Sequence, residues 1–231
     1  MKYGWQWKPL GEVCSTGSGG TPLKEKKEYY EGGTIPWLMS GEVSQGEVRE
    51  ATRFITQKGL DNSAAKIFPQ DTVLVAMYGA TAGQVGILRF EAATNQAVCG
   101  ILPSKYFVPE FLFYLLLSKK EELVAQATGN AQPNISQIKI KNTSVPILPL
   151  PEQQRIVGIL DEALEGIATA KANAEKNLQT PAPCLKATSN PSSPDDRTKY
   201  SCRNSPAKSQ METTRRPIRL QRESHSSRFQ T

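Results

Sequence analysis

Short runs of apolar residues, bounded by glycine and polar residues, occur repeatedly in the first half of the chain. The clearest lie at 35–39, 72–77, 84–90 and 97–102, and each has the length and composition of a β-strand. The run 72–77 is apolar at almost every position, which is typical of a strand buried on both faces. Short strands with glycine-rich turns and few long helices predict an α+β fold with a small, curled sheet.

Three other segments of this region have the spacing of helices. We predict helices over 57–66, 109–128 and 134–139. The second begins with a proline and carries leucines at helical spacing, both of which favour a helix. Asn134 is the predicted N-cap of the third, because its side chain can accept a hydrogen bond from the first turn.

A single long helix is predicted over 151–179. Its apolar and small residues recur at alternating steps of four and three, the heptad pattern of a coiled coil. A lone helix of this kind is poorly stable in water, so it needs a partner surface. The residues of this predicted pairing seam are Ile156, Leu160, Ala163, Ile167, Ala170 and Ala174.

The composition changes abruptly at Thr180. Segment 180–231 is rich in serine, proline and arginine and keeps no hydrophobic period, so we predict a disordered tail. The prolines at its start end the preceding helix. The expected organisation is therefore a globular domain at 1–150, a helix at 151–179 and a tail at 180–231.

The net charge is distributed unevenly among these parts. The chain has 28 Lys and Arg against 22 Asp and Glu, a formal net charge of +6. Over 1–179 the two sets are equal at 18 each, so the whole excess belongs to 180–231. An argument from basic charge to nucleic acid would apply to the tail alone. Any interaction of the body depends on where its charges lie.

The body lacks the residues that several classes of catalysis need. The single histidine, His225, lies in the tail, which excludes histidine-based chemistry in the body. The cysteines match no zinc-site spacing, and the carboxylates mostly stand beside lysines, as on a solvated face. Segment 16–21 is glycine-rich but lacks the lysine of a phosphate loop, so we favour a flexible turn after a strand around Val13 over a loop that cradles a ligand. We expect no catalysis, metal or cofactor.

The sequence also indicates in which cellular compartment the protein is expected. The longest apolar run, 111–117, is much shorter than a membrane-spanning helix. The chain opens with a polar, tryptophan-containing segment in place of the apolar core of a secretory signal. We therefore expect a cytoplasmic protein with no membrane partner.

Three polar segments combine groups that bind nucleic acid. Lysines beside tyrosines offer positive charge for phosphates next to ring surfaces, and asparagine and glutamine can read base edges. Each segment taken alone also fits an ordinary solvated surface. The candidates for phosphate contact are Lys24, Lys26, Lys27, Lys139 and Lys141. The candidates for base contact are Tyr30, Ser40, Tyr78, Thr81, Gln132 and Asn134.

Short motifs lie in a definite order along 1–179. They are Gly-Thr-Pro at 20–22, Tyr-Glu-Gly-Gly-Thr-Ile-Pro-Trp-Leu at 30–38, Ser-Gly-Glu at 40–42, Ile-Thr-Gln-Lys-Gly-Leu at 55–60, Ala-Thr-Ala-Gly at 80–83, Asn-Gln at 95–96 and Ile-Leu-Pro-Leu-Pro-Glu-Gln-Gln-Arg-Ile-Val at 147–157. Each motif is weak alone. Their order and spacing together resemble the specificity subunit of type I restriction–modification enzymes, over its target recognition domain and the spacer helix that follows.

The resemblance implies a DNA-binding protein without catalysis of its own. In that family each recognition domain reads one half of a bipartite target on double-stranded DNA, and paired spacer helices set the gap between the halves. Methylation and cleavage belong to separate modification and restriction subunits, which are the implied partners.

The chain departs from this family in one respect, since a complete subunit has two recognition domains and two spacer helices. We hypothesise that a frameshift or rearrangement has replaced the second half with 180–231. We then expect two copies to pair through 151–179 as a homodimer on a palindromic bipartite site. One alternative is a truncated fragment that binds the modification subunit through its helix without productive DNA recognition. Another is an enzyme that uses carboxylates alone.

Overall fold

The computed structural model describes residues 5–125 and 134–179. Its helices are α1 (Leu10–Val13), α2 (Gln57–Asp61), α3 (Pro109–Ser118), α4 (Lys120–Ala125), α5 (Gln137–Asn142) and α6 (Leu150–Gln179). Its strands are β1 (Gln6–Pro9), β2 (Thr16–Ser18), β3 (Ile35–Leu38), β4 (Glu47–Val48), β5 (Phe54–Ile55), β6 (Ile67–Phe68), β7 (Val73–Ala76), β8 (Val85–Leu88), β9 (Ala92–Thr94), β10 (Val98–Ile101) and β11 (Ser144–Ile147). The predicted α+β class is confirmed.

The central sheet has five strands in the order β2–β10–β7–β8–β4. Strands β7, β8 and β10 are buried at every position and lie within the predicted strands at 72–77, 84–90 and 97–102, which are confirmed. Alternate side chains of β7 enter different apolar clusters: Val73 and Val75 pack with the helices, whereas Leu74 and Ala76 pack on the other face. Because both faces are covered, both sets of positions are apolar.

A second sheet has the order β5–β3–β9–β6. Its strand β3 confirms the strand predicted at 35–39 and pairs antiparallel with β5 and parallel with β9. Trp37 of β3, Ile55 of β5 and Ala93 of β9 form a small apolar cluster of their own. One wall of the cavity described below is built on this sheet.

Two predicted helices are shorter than expected. The helix predicted over 57–66 ends at Asp61, because the Asn62 side chain donates to the Lys58 carbonyl at 2.9 Å and the chain then turns into β6. The helix predicted over 109–128 is divided into α3 and α4 around Lys119. No glycine or proline marks this break in the sequence. Residues 126–128 lie outside the described part of the chain.

The third predicted helix has a different N-cap. Asn134 does not cap it; the Ser136 hydroxyl accepts the Lys139 N–H at 3.3 Å, and α5 begins at Gln137. Asn134 instead forms an isolated antiparallel bridge with Tyr78. The prediction of an Asn134 cap was wrong because a long-range backbone pairing took that residue out of the helix.

The interpretation of segment 16–21 was also wrong. Val13 belongs to the short helix α1, and Thr16–Ser18 form β2 at the edge of the central sheet. Gly19 is packed so tightly that a Cβ there would lie 2.0 Å from the Thr94 carbonyl oxygen. Gly19 and Gly20 therefore allow close backbone packing and do not form a flexible turn.

The long helix is joined to the globular domain at its first turn. Strands β1 and β11 pair antiparallel, which brings the start of the chain beside the residues that lead into α6. Gln153 is completely buried there and bonds to three backbone groups. Its amide accepts the Val108 N–H at 2.9 Å and donates to the carbonyls of Tyr106 at 2.7 Å and Leu148 at 2.9 Å.

The prediction of one long helix from 151 is confirmed, since α6 runs over Leu150–Gln179. Ile156 and Leu160 of the predicted seam are half-buried, and Ile156 packs against the main apolar cluster. Side chains from 161 to 178 are exposed, and Ile167 is 64% exposed. No helix in the described residues is long and apolar enough to cross a membrane. Segment 180–231 lies outside the described residues.

Candidate nucleic-acid interface

Several loops leave the central sheet at one edge. The pairs Cys99–Ser18, Val98–Ala76 and Val75–Val85 place the ends of β2 and β7 beside the starts of β10 and β8. Segments 19–24, 77–84 and 95–97 therefore emerge together. We call this set of segments, with 134–136, the loop edge.

Tyr78 and Asn134 lie side by side in the loop edge. The Ile135 N–H donates to the Met77 carbonyl at 2.8 Å, and the adjacent residues Tyr78 and Asn134 form the bridge. Both are exposed, Tyr78 to 39%. The Thr81 hydroxyl donates to the Tyr78 carbonyl at 3.3 Å, so Thr81 supports the loop that presents Tyr78. Two segments predicted separately as base contacts thus meet in one place.

A cavity of about 450 Å³ lies beside this edge and is lined by Lys24, Tyr30, Trp37, Met39, Arg53 and Phe54. We call it the Phe54 pocket. The Tyr30 hydroxyl donates to the Pro22 carbonyl at 2.6 Å, and its ring meets that of Trp37 edge to face at 6.2 Å. The indole N–H of Trp37 donates to the Gly20 carbonyl at 3.0 Å. These bonds fix the half-buried Tyr30 ring and the almost fully buried Trp37 ring in the wall of the pocket.

Glu42 holds together the two segments that bring Met39 and Arg53 to the Phe54 pocket. Its carboxylate accepts the Met39 N–H at 2.8 Å, the Thr52 N–H at 3.1 Å and the Thr52 hydroxyl at 3.0 Å. The segment that follows β3 is thereby fastened to the segment that precedes β5. Arg53, which follows Thr52, donates from its guanidinium to the Met39 sulfur. Ser40, a predicted base contact, follows Met39 and is half-buried.

A hydrogen bond links the loop beside the Phe54 pocket to the loops that carry Tyr78 and Asn134. The Thr21 hydroxyl donates to the Gln96 side chain. Gln96 precedes Ala97, whose carbonyl accepts the Met77 N–H at 2.8 Å. The Phe54 pocket and the Tyr78–Asn134 pair are therefore connected through the loops of one sheet edge.

Basic side chains lie near the pocket. Lys24, Lys26 and Lys27 are all exposed. The Lys26 ammonium lies 5.2 Å from the centre of the Tyr29 ring, and it donates to the Tyr29 hydroxyl at 3.2 Å. Glu28 is paired with Lys58 at 2.8 Å, and this hydrogen bond lowers the pKa of the Glu28 carboxyl. Part of the nearby acidic charge is thus already balanced.

Lys139 and Lys141 occupy a different place. They lie on α5, whose first residue Gln137 donates to the Thr16 hydroxyl at 2.8 Å, at the end of β2 opposite the loop edge. Lys141 lines a second cavity with Ser104 and residues 11–16. The structure therefore brings Lys24, Tyr30, Tyr78 and Asn134 to one region and sets Lys141 apart. Gln132 lies outside the described residues.

Arg53 and Phe54 were missed by the sequence reasoning. The signal that singled out the lysines before Tyr29 and Tyr30, a basic residue beside an aromatic ring, is also present in the dipeptide Arg53–Phe54. It was missed because Arg53 ends a polar stretch and Phe54 begins β5, a two-residue strand that no hydrophobic pattern reveals.

The buried thiols are poor nucleophiles. Burial raises the pKa of Cys99 to about 12 and also raises that of Cys14, so both stay protonated at neutral pH. Among residues 5–125 and 134–179, no group of three or more His, Cys, Asp or Glu side chains is placed to hold a metal ion.

Comparison with known families shows to which family this chain belongs. The family model for the type I restriction modification DNA specificity domain matches residues 2–178. The chain belongs to this family. The specificity-domain match covers the globular domain and nearly the whole of α6, which is the extent of the resemblance found in the sequence motifs.

Individual relatives agree with this assignment. The EcoR124I/EcoR124II specificity subunit of Escherichia coli is 27% identical over 162 residues, covering 68% of this chain and 40% of the relative. The MjaIX specificity subunit of Methanocaldococcus jannaschii is 30% identical over 161 residues, covering 68% of this chain and 37% of the relative. This specificity-domain chain thus aligns with about 40% of the length of these curated relatives.

A solved structure supports the fold. The crystal structure of the HsdS subunit from Thermoanaerobacter tengcongensis matches with a TM-score of 0.59 at 23% identity. The match covers 75% of this chain and 40% of that one. The fold of this chain is therefore similar to that of part of the solved HsdS subunit.

Proposed function

We propose that this chain recognises a specific DNA sequence as the specificity component of a type I restriction–modification system. The observation that carries the proposal is the family match over residues 2–178. The loop edge supports it, because the exposed Lys24, Tyr78 and Asn134 lie there on one connected set of loops. Lysines position a protein on phosphates, and amides read base edges.

The parts of the surface would divide this task. Lys24, Lys26 and Lys27 would contact phosphates, and Tyr78 and Asn134 would face the bases. Lys139 and Lys141 would contact the backbone at a second place, since α5 leads away from the loop edge. Thr81 would act indirectly, by holding the loop that carries Tyr78.

We further propose that the chemistry on DNA belongs to modification and restriction subunits bound by this chain. Support comes from the relatives, which are specificity subunits of restriction enzymes. We also propose that two copies pair through α6, because its seam is exposed from 161 onward within one copy. Two identical recognition domains would then face a palindromic bipartite site.

Selection from a pool of random DNA duplexes tests the proposal. The full chain is used alone and with the modification subunit, and bound duplexes are sequenced over several rounds. Enrichment of one defined sequence, dependent on Tyr78 and Asn134, is expected. A chain that binds the modification subunit but enriches no sequence would contradict DNA recognition and favour the interaction-only alternative.

The salt dependence of binding tests the phosphate contacts. Each phosphate neutralised on duplex DNA adds about 0.9 to the slope of log affinity against log salt concentration. Replacing Lys27 by Ala should lower that slope by about this amount at every sequence. The matched control is Lys171→Ala, an exposed lysine on α6, for which the slope should stay unchanged.

A further inference from the structure

The Phe54 pocket has a composition that plain duplex binding does not require. It is a cavity of about 450 Å³, within the size range of small-ligand sites in proteins. Phe54, Tyr30 and Met39 line it together with a small part of the almost buried Trp37, and the cations Lys24 and Arg53 also line it. Phe54 is 43% exposed, which is a large area of ring left open to solvent.

The chemistry of the lining limits what fits. A cage of aromatic rings can bind an organic cation, but two cationic side chains in the same wall oppose that. A planar, uncharged ring with an attached anionic group suits both features. The ring stacks on aromatic side chains, and the anion is paired with lysine and arginine.

The pocket is also held open by bonds within the protein. Tyr30 and Trp37 direct their polar atoms to the backbone carbonyls of Pro22 and Gly20. Glu42 fixes the two segments that carry Met39 and Arg53. A ligand would therefore enter a surface that needs little rearrangement, and preorganisation of this kind favours binding.

We propose that the Phe54 pocket binds a single unstacked nucleotide, with the base against Phe54 and the phosphate between Lys24 and Arg53. The proposal rests on the proposed function for one source of this ligand, a base turned out of the bound duplex. Lys24 belongs to both the pocket lining and the loop edge, so a duplex on that edge would lie beside the pocket. The other source of the same chemistry is a free mononucleotide.

A mismatch scan tests the duplex source. Turning a base out requires breaking its pair, so a mismatch at that one position should tighten binding by about tenfold. Single mismatches are placed in turn along the duplex enriched by selection, and the affinity of the full chain is measured for each. Phe54→Leu, which keeps an apolar side chain but loses the ring, should abolish the gain, and Phe54→Tyr should retain it.

Equilibrium dialysis with radiolabelled adenosine, guanosine, cytidine and thymidine monophosphates tests the free source without any duplex. Binding that Phe54→Leu weakens about tenfold supports the pocket. The control is Ile67→Ala, an exposed apolar residue on β6 of the same sheet but outside the pocket. It should change neither measurement.

The two experiments test nucleotide binding in the Phe54 pocket separately from duplex recognition by the whole chain. A mismatch gain that depends on Phe54 supports a base turned out of the duplex. Mononucleotide binding without a mismatch gain supports the pocket with a free ligand. If neither the mismatch gain nor mononucleotide binding is observed, the proposal that the pocket binds a nucleotide is overturned, even when the matched duplex binds as expected. Absence of duplex binding contradicts the proposed function, and the dialysis result still decides the pocket.

Discussion

The side chain of Gln153 accepts the backbone N–H of Val108 at 2.9 Å, across 45 residues of sequence. Val108 immediately precedes α3, and Gln153 lies in the first turn of α6. With its bonds to the carbonyls of Tyr106 and Leu148, this buried amide fixes where the long helix leaves the globular domain. One glutamine thereby sets the position of the helix relative to the interface.

Replacing Gln153 by Ala should destabilise the protein strongly. The change leaves the Val108 N–H and two carbonyls buried without these partners, and each lost partner costs about 1–3 kcal/mol. We expect the free energy of unfolding in urea to fall by about 3 kcal/mol with little change in its denaturant slope. The exposed neighbour Gln154 is the control, and Gln154→Ala should be close to neutral. Equal effects of the two substitutions would refute the role of Gln153.

Gly19 should tolerate no side chain. A Cβ there would lie 2.0 Å from the Thr94 carbonyl oxygen and 2.3 Å from its hydroxyl oxygen, so the backbones of the two sheets must move apart. Gly19→Ala is expected to lower the free energy of unfolding by about 1–3 kcal/mol. The loss is measured as a lower urea concentration at the midpoint of unfolding. Gly41→Ala is the matched control, because a Cβ there meets nothing within 4 Å. A stable, soluble Gly19→Ala protein would show that this packing is wrong.

Stability at high pH should depend on Tyr114 and Asp161. The Tyr114 hydroxyl donates to the Asp161 carboxylate, which raises the pKa of Tyr114 from 10.0 to about 12. Between these values the folded protein holds a proton that the unfolded chain has released, so the free energy of unfolding falls as pH rises. The contribution is fully present below pH 10.0 and is lost through about pH 12.

The measurement is a pH titration of tyrosinate absorbance combined with urea unfolding. Asp161→Asn should lower the Tyr114 pKa towards 10.0 and flatten the fall in stability over this window. Tyr114→Phe removes the titrating group and identifies its signal. A tyrosine titration that is the same with Asp161→Asn would contradict the assignment.

Pairing of two copies should depend on one face of α6. Ala170 lies in the heptad seam, whereas Ala172 lies two positions further on and faces away from it. Ala170→Glu would bury an unpaired charge in the pair and should convert a dimer to a monomer. Ala172→Glu, the same exchange in the same helix, should leave the dimer intact. Sedimentation of the full chain measures both, and a monomeric unmodified chain would refute pairing.

The parts of the fold that the sequence predicts share a simple origin. The strands at 73–76, 85–88 and 98–101 are apolar on both faces, and α6 keeps a heptad pattern over many turns. In each case many residues share the same hydrophobic pattern, so one residue that departs from it does not obscure the prediction. The two-residue strands β4, β5 and β6 have no such redundancy, and pairing with distant strands alone makes them strands.

The candidate site was predictable to a lesser degree. Lys24, Lys26, Lys27 and Tyr30 could be singled out because charge and ring stand close together in sequence. That Tyr78 meets Asn134, and that Lys141 lies elsewhere, depends on long-range backbone pairing. Tyr30 stays a predicted base contact, and the structure adds that its hydroxyl donates to the Pro22 carbonyl and its ring packs edge to face on Trp37.

The sequence by itself determined the α+β class, the central strands, the long helix and the family, because hydrophobic period and motif order are properties of the linear chain. Only the tertiary structure decided that glycines 19 and 20 are packing positions, that Gln153 fixes the long helix, and that Arg53 and Phe54 share a pocket with Lys24 and Tyr30. The physical reason is that each of these features joins residues distant in sequence. Buried hydrogen bonds and close backbone contacts exist only once the sheets have packed.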